Sequence, residues 1–509
     1  MSKFNEKKTI RAEAENHPLA RSNAEGGLSY AMTPKIDLYT RVATSLMGEN
    51  TFYQDAQQRD GDLIKLIHQV AATDPEFLLK LAIYAREKLY LRSVTTVLLA
   101  EYANSVGVGL PGSRKLVSRC IQRPDDMTEL ISYQLNRNGS SPRKGSKLPM
   151  VIKNGIRDAF PKFDAYQLGK YNRPGSVKLR DAYFMTHPKP TSEAQYATWN
   201  DLVTGTLEPP MTWEVMRSTG KMGWHEVIND VFHKGGRTNN LMAIIRNLRN
   251  CVTAKDVTRD DINLLAEMIQ DKEAIKKSKI LPFRAFSAYV ELQKTHLEGK
   301  DIAVIYEALE EMTRTSIDNV PRLPGLSVIA IDVSGSMMWT KVSRMSDVYP
   351  AQLAILLGMM SRRICDDAMT CLFDSTLTWV NLRDRSILNS AYTTRPRGWS
   401  TYGHLVVQDL IKRDIVADRV IFLTDMMLYD SSIYGQSRSS LSIEWLKYVR
   451  SVAPKCKLYN WNLMSYGEVS VAEDMQGSRA IGGWSDRSLE MIGLLERGAN
   501  VIDEIKSIA

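Results

Sequence analysis

Residues 326–336 read LSVIAIDVSGS. The first eight form a short apolar run rich in β-branched side chains, which suits a strand buried on both faces. Asp332, Ser334 and Ser336 then place carboxylate and hydroxyl groups where that strand passes into a loop. Downstream, strand-like segments at 369–373, 419–423 and 457–463 alternate with helical segments at 348–364, 405–412, 445–449 and 489–495. This alternation predicts a doubly wound, Rossmann-like α/β domain, a parallel sheet with helices on both faces. Ligands of such sheets bind beyond the carboxyl ends of the strands, which is where the polar cluster falls.

Before Pro321-Arg322-Leu323-Pro324-Gly325 the chain reads as helices and almost nothing else. Asp74-Pro75-Glu76 supplies an N-cap, a first-turn proline and a first-turn acid. Phe77, Leu78, Leu81, Ala82, Ala85 and Leu89 follow at helical spacing, and a second helix carries Val97, Leu98 and Tyr102. Similar patterns recur at 239–250, 260–270 and 282–293. Short helices joined by short turns predict stacked antiparallel pairs, an α-helical repeat of HEAT-like kind. No strict period is present, so an irregular solenoid or ring is expected. The expected division is a flexible arm over 1–24, a helical-repeat module over 25–321 and the α/β domain over 322–509.

Composition narrows the function. No apolar run in the 509 residues approaches the ~20 that a membrane helix needs, and the polar N-terminus lacks a signal-type apolar region. Cys120, Cys251, Cys365, Cys371 and Cys456 form no CxxC pair, which argues against zinc or a disulfide framework and for a reducing cytoplasm. The seven histidines fall in no HExxH pattern, and no P-loop or nucleophile–base pair stands out, so a non-enzyme is expected.

Charge is concentrated. Against a net +8 for the chain, residues 137–189 hold twelve Lys and Arg and three Asp, a surplus of nine in about a tenth of the length. The candidate phosphate contacts there are Arg137, Arg143, Lys144, Lys147, Lys153, Arg157, Lys170, Arg173, Lys178 and Arg180. Phe160, Phe163, Tyr166, Tyr171, Tyr183 and Phe184 are interleaved. Cations hold phosphates whatever the base sequence, and exposed aromatics stack on unpaired bases. The plainer alternative is a solvated basic face with its aromatics in the core.

Two further positions join the DxSxS run: Thr401, in a loop, and Asp425, ending the predicted strand VIFLTD. Hydroxyls of Ser334, Ser336 and Thr401, with Asp332 and Asp425 acting through water, offer the all-oxygen set that Mg²⁺ prefers. With only two carboxylates serving it, the ion stays electron-poor and open to an acidic ligand from a partner. Trp339 and Trp399 are candidates to rim the site, and ordinary packing is the favoured alternative for each.

These three pieces resemble the metal-ion-dependent adhesion site (MIDAS) of von Willebrand factor A domains. Residues 83–100 (IYAREKLYLRSVTTVLLA), 170–190 (KYNRPGSVKLRDAYFMTHPKP), 241–250 (LMAIIRNLRN) and 280–286 (ILPFRAF) resemble, in order, the TROVE module of the Ro autoantigen family. The chain looks like a bacterial or phage-type member, similar from about residue 25 onward. The resemblance implies a helical ring closed by the von Willebrand A domain. It implies small structured RNAs of the Y type on a basic outer surface, and single-stranded ends of misfolded RNAs in the central hole. It implies that Lys153, Arg157, Lys170, Arg173, Lys178, Arg180 and His187 touch phosphate, with an exoribonuclease as a candidate partner. Trp399-Ser400-Thr401-Tyr402 departs from the family's Gly-Gly-Thr-Asp, which puts the partner side of the metal site in doubt. The competing reading is a protein-interaction adaptor that docks an acidic partner at that site.

Overall fold

The computed structural model describes residues 3–44, 47–105, 110–139, 147–235, 237–278, 280, 282–295, 302–318, 320–344, 346–382, 385–395, 400–431, 439–484, 486–498 and 500–508. Contacts group them into two compact units, Met1–Gln58 with Met216–Gly498 and Arg59–Val215 with Ala499–Ala509. The chain therefore does not divide at residue 322 as its composition suggested. The helices from 216 to 318 group with the sheet, and the helix Val501–Lys506 returns to the other unit. Among the described residues no helix is long and apolar enough to cross a membrane.

The unit built on Arg59–Val215 is made of packed helix pairs. Pro75–Glu87 starts as its sequence dictates, with Asp74 accepting the backbone N–H of Phe77 at 3.0 Å. It lies against Ser93–Ser105, Ser113–Cys120 and Val501–Lys506. Ser93–Ser105 packs on Pro124–Arg137, and Ser113–Cys120 on Met150–Ala159. Leu179–Thr186 is set against both Pro124–Arg137 and Met150–Ala159. Buried Arg86 ties the turns together, donating to the Cys120 carbonyl at 3.2 Å and to Asp126 at 2.8 Å.

In the other unit the strands are β1 (Ala20–Ser22), β2 (Leu28–Ala31), β3 (Leu323–Asp332), β4 (Cys365–Phe373), β5 (Leu377–Val380), β6 (Arg419–Thr424), β7 (Lys457–Asn462), β8 (Glu468–Val469) and β9 (Ser478–Gly482). Six form one sheet in the order β5-β4-β3-β6-β7-β9, parallel except for the antiparallel β4–β5 pair. The helices Pro350–Ile364, His404–Lys412 and Leu441–Ser451 connect the parallel strands. The expected doubly wound sheet, of the kind von Willebrand A domains have, is present. β3 is central and buried, and the order reverses between β3 and β6, so a crevice opens at their carboxyl ends.

The described part of the expected N-terminal arm, residues 3–24, forms regular elements. Lys3–Glu15 is a helix whose Ile10 and Ala14 are buried against Ile443 and Leu446. β1 and β2 form a hairpin, and β2 pairs with β8 through Tyr30↔Val469. The polar composition hid this because the two apolar contacts sit one turn apart in an otherwise charged helix.

Candidate functional site

Strand register brings the metal motif together. β3 ends at Asp332, opposite Phe373 of β4, and Ile331 lies opposite Leu423 of β6. Asp332 accepts the Ser334 N–H at 2.9 Å and the Thr424 hydroxyl at 2.5 Å. The hydroxyls of Ser334 and Ser336 lie 3.4 Å apart, and Ser336 also bonds the Asp425 carboxylate. Asp425 accepts the Met427 N–H at 3.0 Å. Thr401 is stitched to both strand ends: its carbonyl accepts the Tyr429 N–H at 2.9 Å, and the next residue, Tyr402, donates to the Asp374 carbonyl at 2.9 Å. All five motif residues are buried.

The donor set fits a hard divalent cation. Burial and then the charge of Asp425 push the Asp332 carboxyl up, and burial pushes Asp425 up. Two like charges held out of water are each other's penalty, which a bound cation relieves. Asp374 ends β4's side of the crevice and keeps one buried carboxylate oxygen without a hydrogen-bond partner. Among the described residues no three His, Cys, Asp or Glu side chains gather as a cage, so any ion here depends on the hydroxyls.

Several residues at this site had no signal in the sequence. Asp374 and Thr424 are single polar residues at strand ends. Glu25 and Tyr53 come from about 280 to 310 residues upstream of Asp332. Tyr53 donates to Glu25 and bonds Ser336, and the Glu25 charge acts on Asp425. Trp339, expected to pack, stands 61% exposed at the end of the short helix that Ser336 begins. Trp399 lies outside the described residues.

The described part of the basic segment belongs to the helical unit. On Met150–Ala159, Ile152, Gly155, Ile156 and Ala159 face inward while Lys153 and Arg157 are half-exposed. Lys147 is exposed just before this helix, and Arg143 and Lys144 lie outside the described residues. Arg173, Lys178, Arg180 and His187 are exposed, and among the described residues no acidic side chain pairs with them. Arg180 and Phe184, one helical turn apart, both reach solvent, and the Lys170 ammonium lies 5.9 Å from the exposed Tyr166 ring. His187 caps its helix in the left-handed region, φ 51°, with its N–H on the Tyr183 carbonyl. The Arg157 guanidinium lies 3.8 Å from Asp158.

Arg137 departs from expectation. Its guanidinium is bound to the buried Glu101 at 3.0 Å, so it neutralises a core carboxylate rather than standing ready for phosphate. Phe160 and Phe163 are also core residues, Phe160 packing edge-on with Tyr183 and Trp199.

Comparison with known proteins places these observations. The family model described as TROVE domain matches residues 32–208 and 197–322, more than half of the chain. Telomerase protein component 1 of Mus musculus is 27% identical over 138 residues, 27% of this chain and 5% of that one. The RNA-binding protein RO60 of Deinococcus radiodurans is 28% identical over 278 residues, 47% of this chain and 52% of the relative. The chain thus spans about half of one curated relative and a small part of the other. Its fold is similar to the crystal structure of the Deinococcus radiodurans RO protein, with a TM-score of 0.62 at 17% identity, covering 92% of this chain and all of that one.

Proposed function

The chain belongs to the TROVE domain family, and from that membership we propose that it is a non-catalytic RNA-binding protein. The observation that carries the reading is the set of exposed Arg173, Lys178 and Arg180 with half-buried Lys170, whose side chains form no ion pair among the described residues, beside exposed Tyr166 and Phe184. Phosphate contacts of this kind position an RNA without reading its bases, so selectivity rests on RNA shape. The ligands proposed are small structured RNAs of the Y type at this face and single-stranded ends of misfolded RNAs in a ring cavity. Quality control or tethering in the cytoplasm, alongside an exoribonuclease, is the corresponding role. Mg²⁺ is the proposed ion at Asp332, Ser334, Ser336, Thr401 and Asp425.

The test is affinity for a structured RNA across a salt series. Binding should weaken steeply with salt, and neutralising Lys170, Arg173, Lys178 and Arg180 together should lower the slope of log K against log salt by about 3. An unchanged slope overturns the assignment of this face. Recovery of only random ribosomal fragments with the purified protein overturns the wider reading.

A second reading, an adaptor docking an acidic partner through the metal site, is supported by the hydroxyl and carboxylate oxygens gathered there. It predicts that Asp332→Ala abolishes partner capture while RNA retention is unaffected.

A further inference from the structure

The turn at residues 23–27 is built to hold one carboxylate at the mouth of the metal site. Buried Asn23 donates from Nδ2 to the Leu428 carbonyl at 2.8 Å, and its Oδ1 accepts the N–H groups of Glu25 at 3.0 Å and Gly27 at 2.9 Å. Backbone bonds from Asn23 to the Gly27 carbonyl and from Gly26 to the Asn23 carbonyl close the turn, with Gly26 at φ +77°. Leu28 then donates its N–H to Asp430 at 3.0 Å. A Cβ on Gly27 would lie 2.0 Å from the Leu428 oxygen, a distance only glycine tolerates.

The clamp is attached to the segment that follows Asp425, and Tyr429 within that segment bonds the backbone of Thr401. Its product is the placement of Glu25. Two phenols, Tyr53 and Tyr429, donate to the Glu25 carboxylate, and Tyr53 links it onward to Ser336. Tyr53 is itself fixed, its ring meeting Tyr466 edge-on at 5.4 Å.

A divalent ion whose direct ligands are neutral hydroxyls, with both carboxylates acting through water, stays electron-poor and attracts a further anionic oxygen. We propose that Glu25 supplies it: on the metal-binding reading given above, the chain's own 23–27 turn provides the acidic ligand that a partner would otherwise bring. Glu25 reaches Ser336 through Tyr53, and its charge acts on Asp425. The site is then self-occupied, and a partner's carboxylate must displace Glu25 to reach the ion.

Terbium luminescence on the full chain tests this, with Tb³⁺ as the probe and its lifetime in light and heavy water reporting coordinated waters. Wild type should bind Tb³⁺, and Asp332→Ala should abolish binding. Glu25→Gln should weaken it about tenfold, add about one water to the ion and admit acetate as a replacement ligand. Glu25→Asp, one methylene too short, should gain the same water although its charge is kept. Gly27→Val, which dislodges the turn without changing charge, should reproduce the effect if the variant melts as a folded protein. Unchanged affinity and hydration in both Glu25 variants, with Asp332→Ala still inactive in binding, would overturn the role of Glu25 and leave the metal site standing. Equal binding by wild type and Asp332→Ala would remove the metal reading itself.

Discussion

Three side chains converge on the buried carboxylate of Glu101: Arg137 at 3.0 Å, His68 at 2.7 Å and the Tyr133 hydroxyl at 3.0 Å. Removing the guanidinium leaves a buried charge without its main cation, so Arg137→Ala should lower stability by about 2–3 kcal/mol. RNA affinity should stay unchanged, and parallel melting and binding measurements separate the two effects. The sequence placed Arg137 at the head of a basic run and could not show an acid 36 residues earlier folding back onto it. His225 makes a comparable but exposed contact, its Nδ1 2.9 Å from Asp261. The hydrogen bond and charge of Asp261 raise the His225 pKa above its ordinary 6.5. Burial alone would raise Asp261, but donors from His225, Thr258 and Asn229 outweigh it and hold its pKa below 3.8. The histidine's contribution to stability is full below pH 6.5 and lost as pH rises through its raised value. That of the aspartate is full above pH 3.8 and lost as pH falls. The melting temperature of His225→Gln should therefore fall furthest below wild type between about pH 4 and 6.5, with the gap closing at high pH. A gap independent of pH would show the pair to be inert.

Helix periodicity was the most legible feature at the scale of elements: Pro75–Glu87, Ser93–Ser105 and Pro282–Gln293 lie where apolar spacing put them. β4 begins at Cys365, four residues before its expected start, because exposed Asp366 and Asp367 interrupt the apolar pattern while the backbone is already paired with β3. β9, with the sequence SRAIG, has little β character and owes its form to pairing with β7. β1 and β8 are three and two residues long, too short for any periodicity to register. Close approach was equally silent. A Cβ on Gly155 would lie 2.4 Å from Val117 Cγ1, so Ser113–Cys120 and Met150–Ala159 touch nearly backbone to side chain. Valine is stiff at χ1 and cannot swing aside. Gly155→Ala should therefore cost about 2 kcal/mol by overpacking. Because Lys153 and Arg157 ride on that helix, RNA affinity should weaken as well, while Tb³⁺ binding in the other unit stays intact.

For the whole molecule, the nearness of Asp332 and Asp425 was legible because each falls at the carboxyl end of a strand pattern readable in the sequence. That of Glu25 and Tyr53 was not, since their proximity is a product of the complete fold. The same holds for the C-terminal helix. Val501 and Ile505 are buried in the helical unit, and the Lys80 ammonium donates to the Lys506 carbonyl at 2.7 Å. Deleting residues 499–509 should destabilise that unit by about 4 kcal/mol, seen as earlier loss of amide-exchange protection in Pro75–Glu87 than in the sheet. Equal protection would show the helix to be dispensable. The β2–β8 pairing has a consequence for synthesis. The hairpin of β1 and β2 is complete soon after it leaves the ribosome, but its outer edge awaits residues 468–469. At about 5–20 residues per second, translation delays that pairing by tens of seconds, so the hairpin, marginal by itself, gains its third strand only near the end of synthesis.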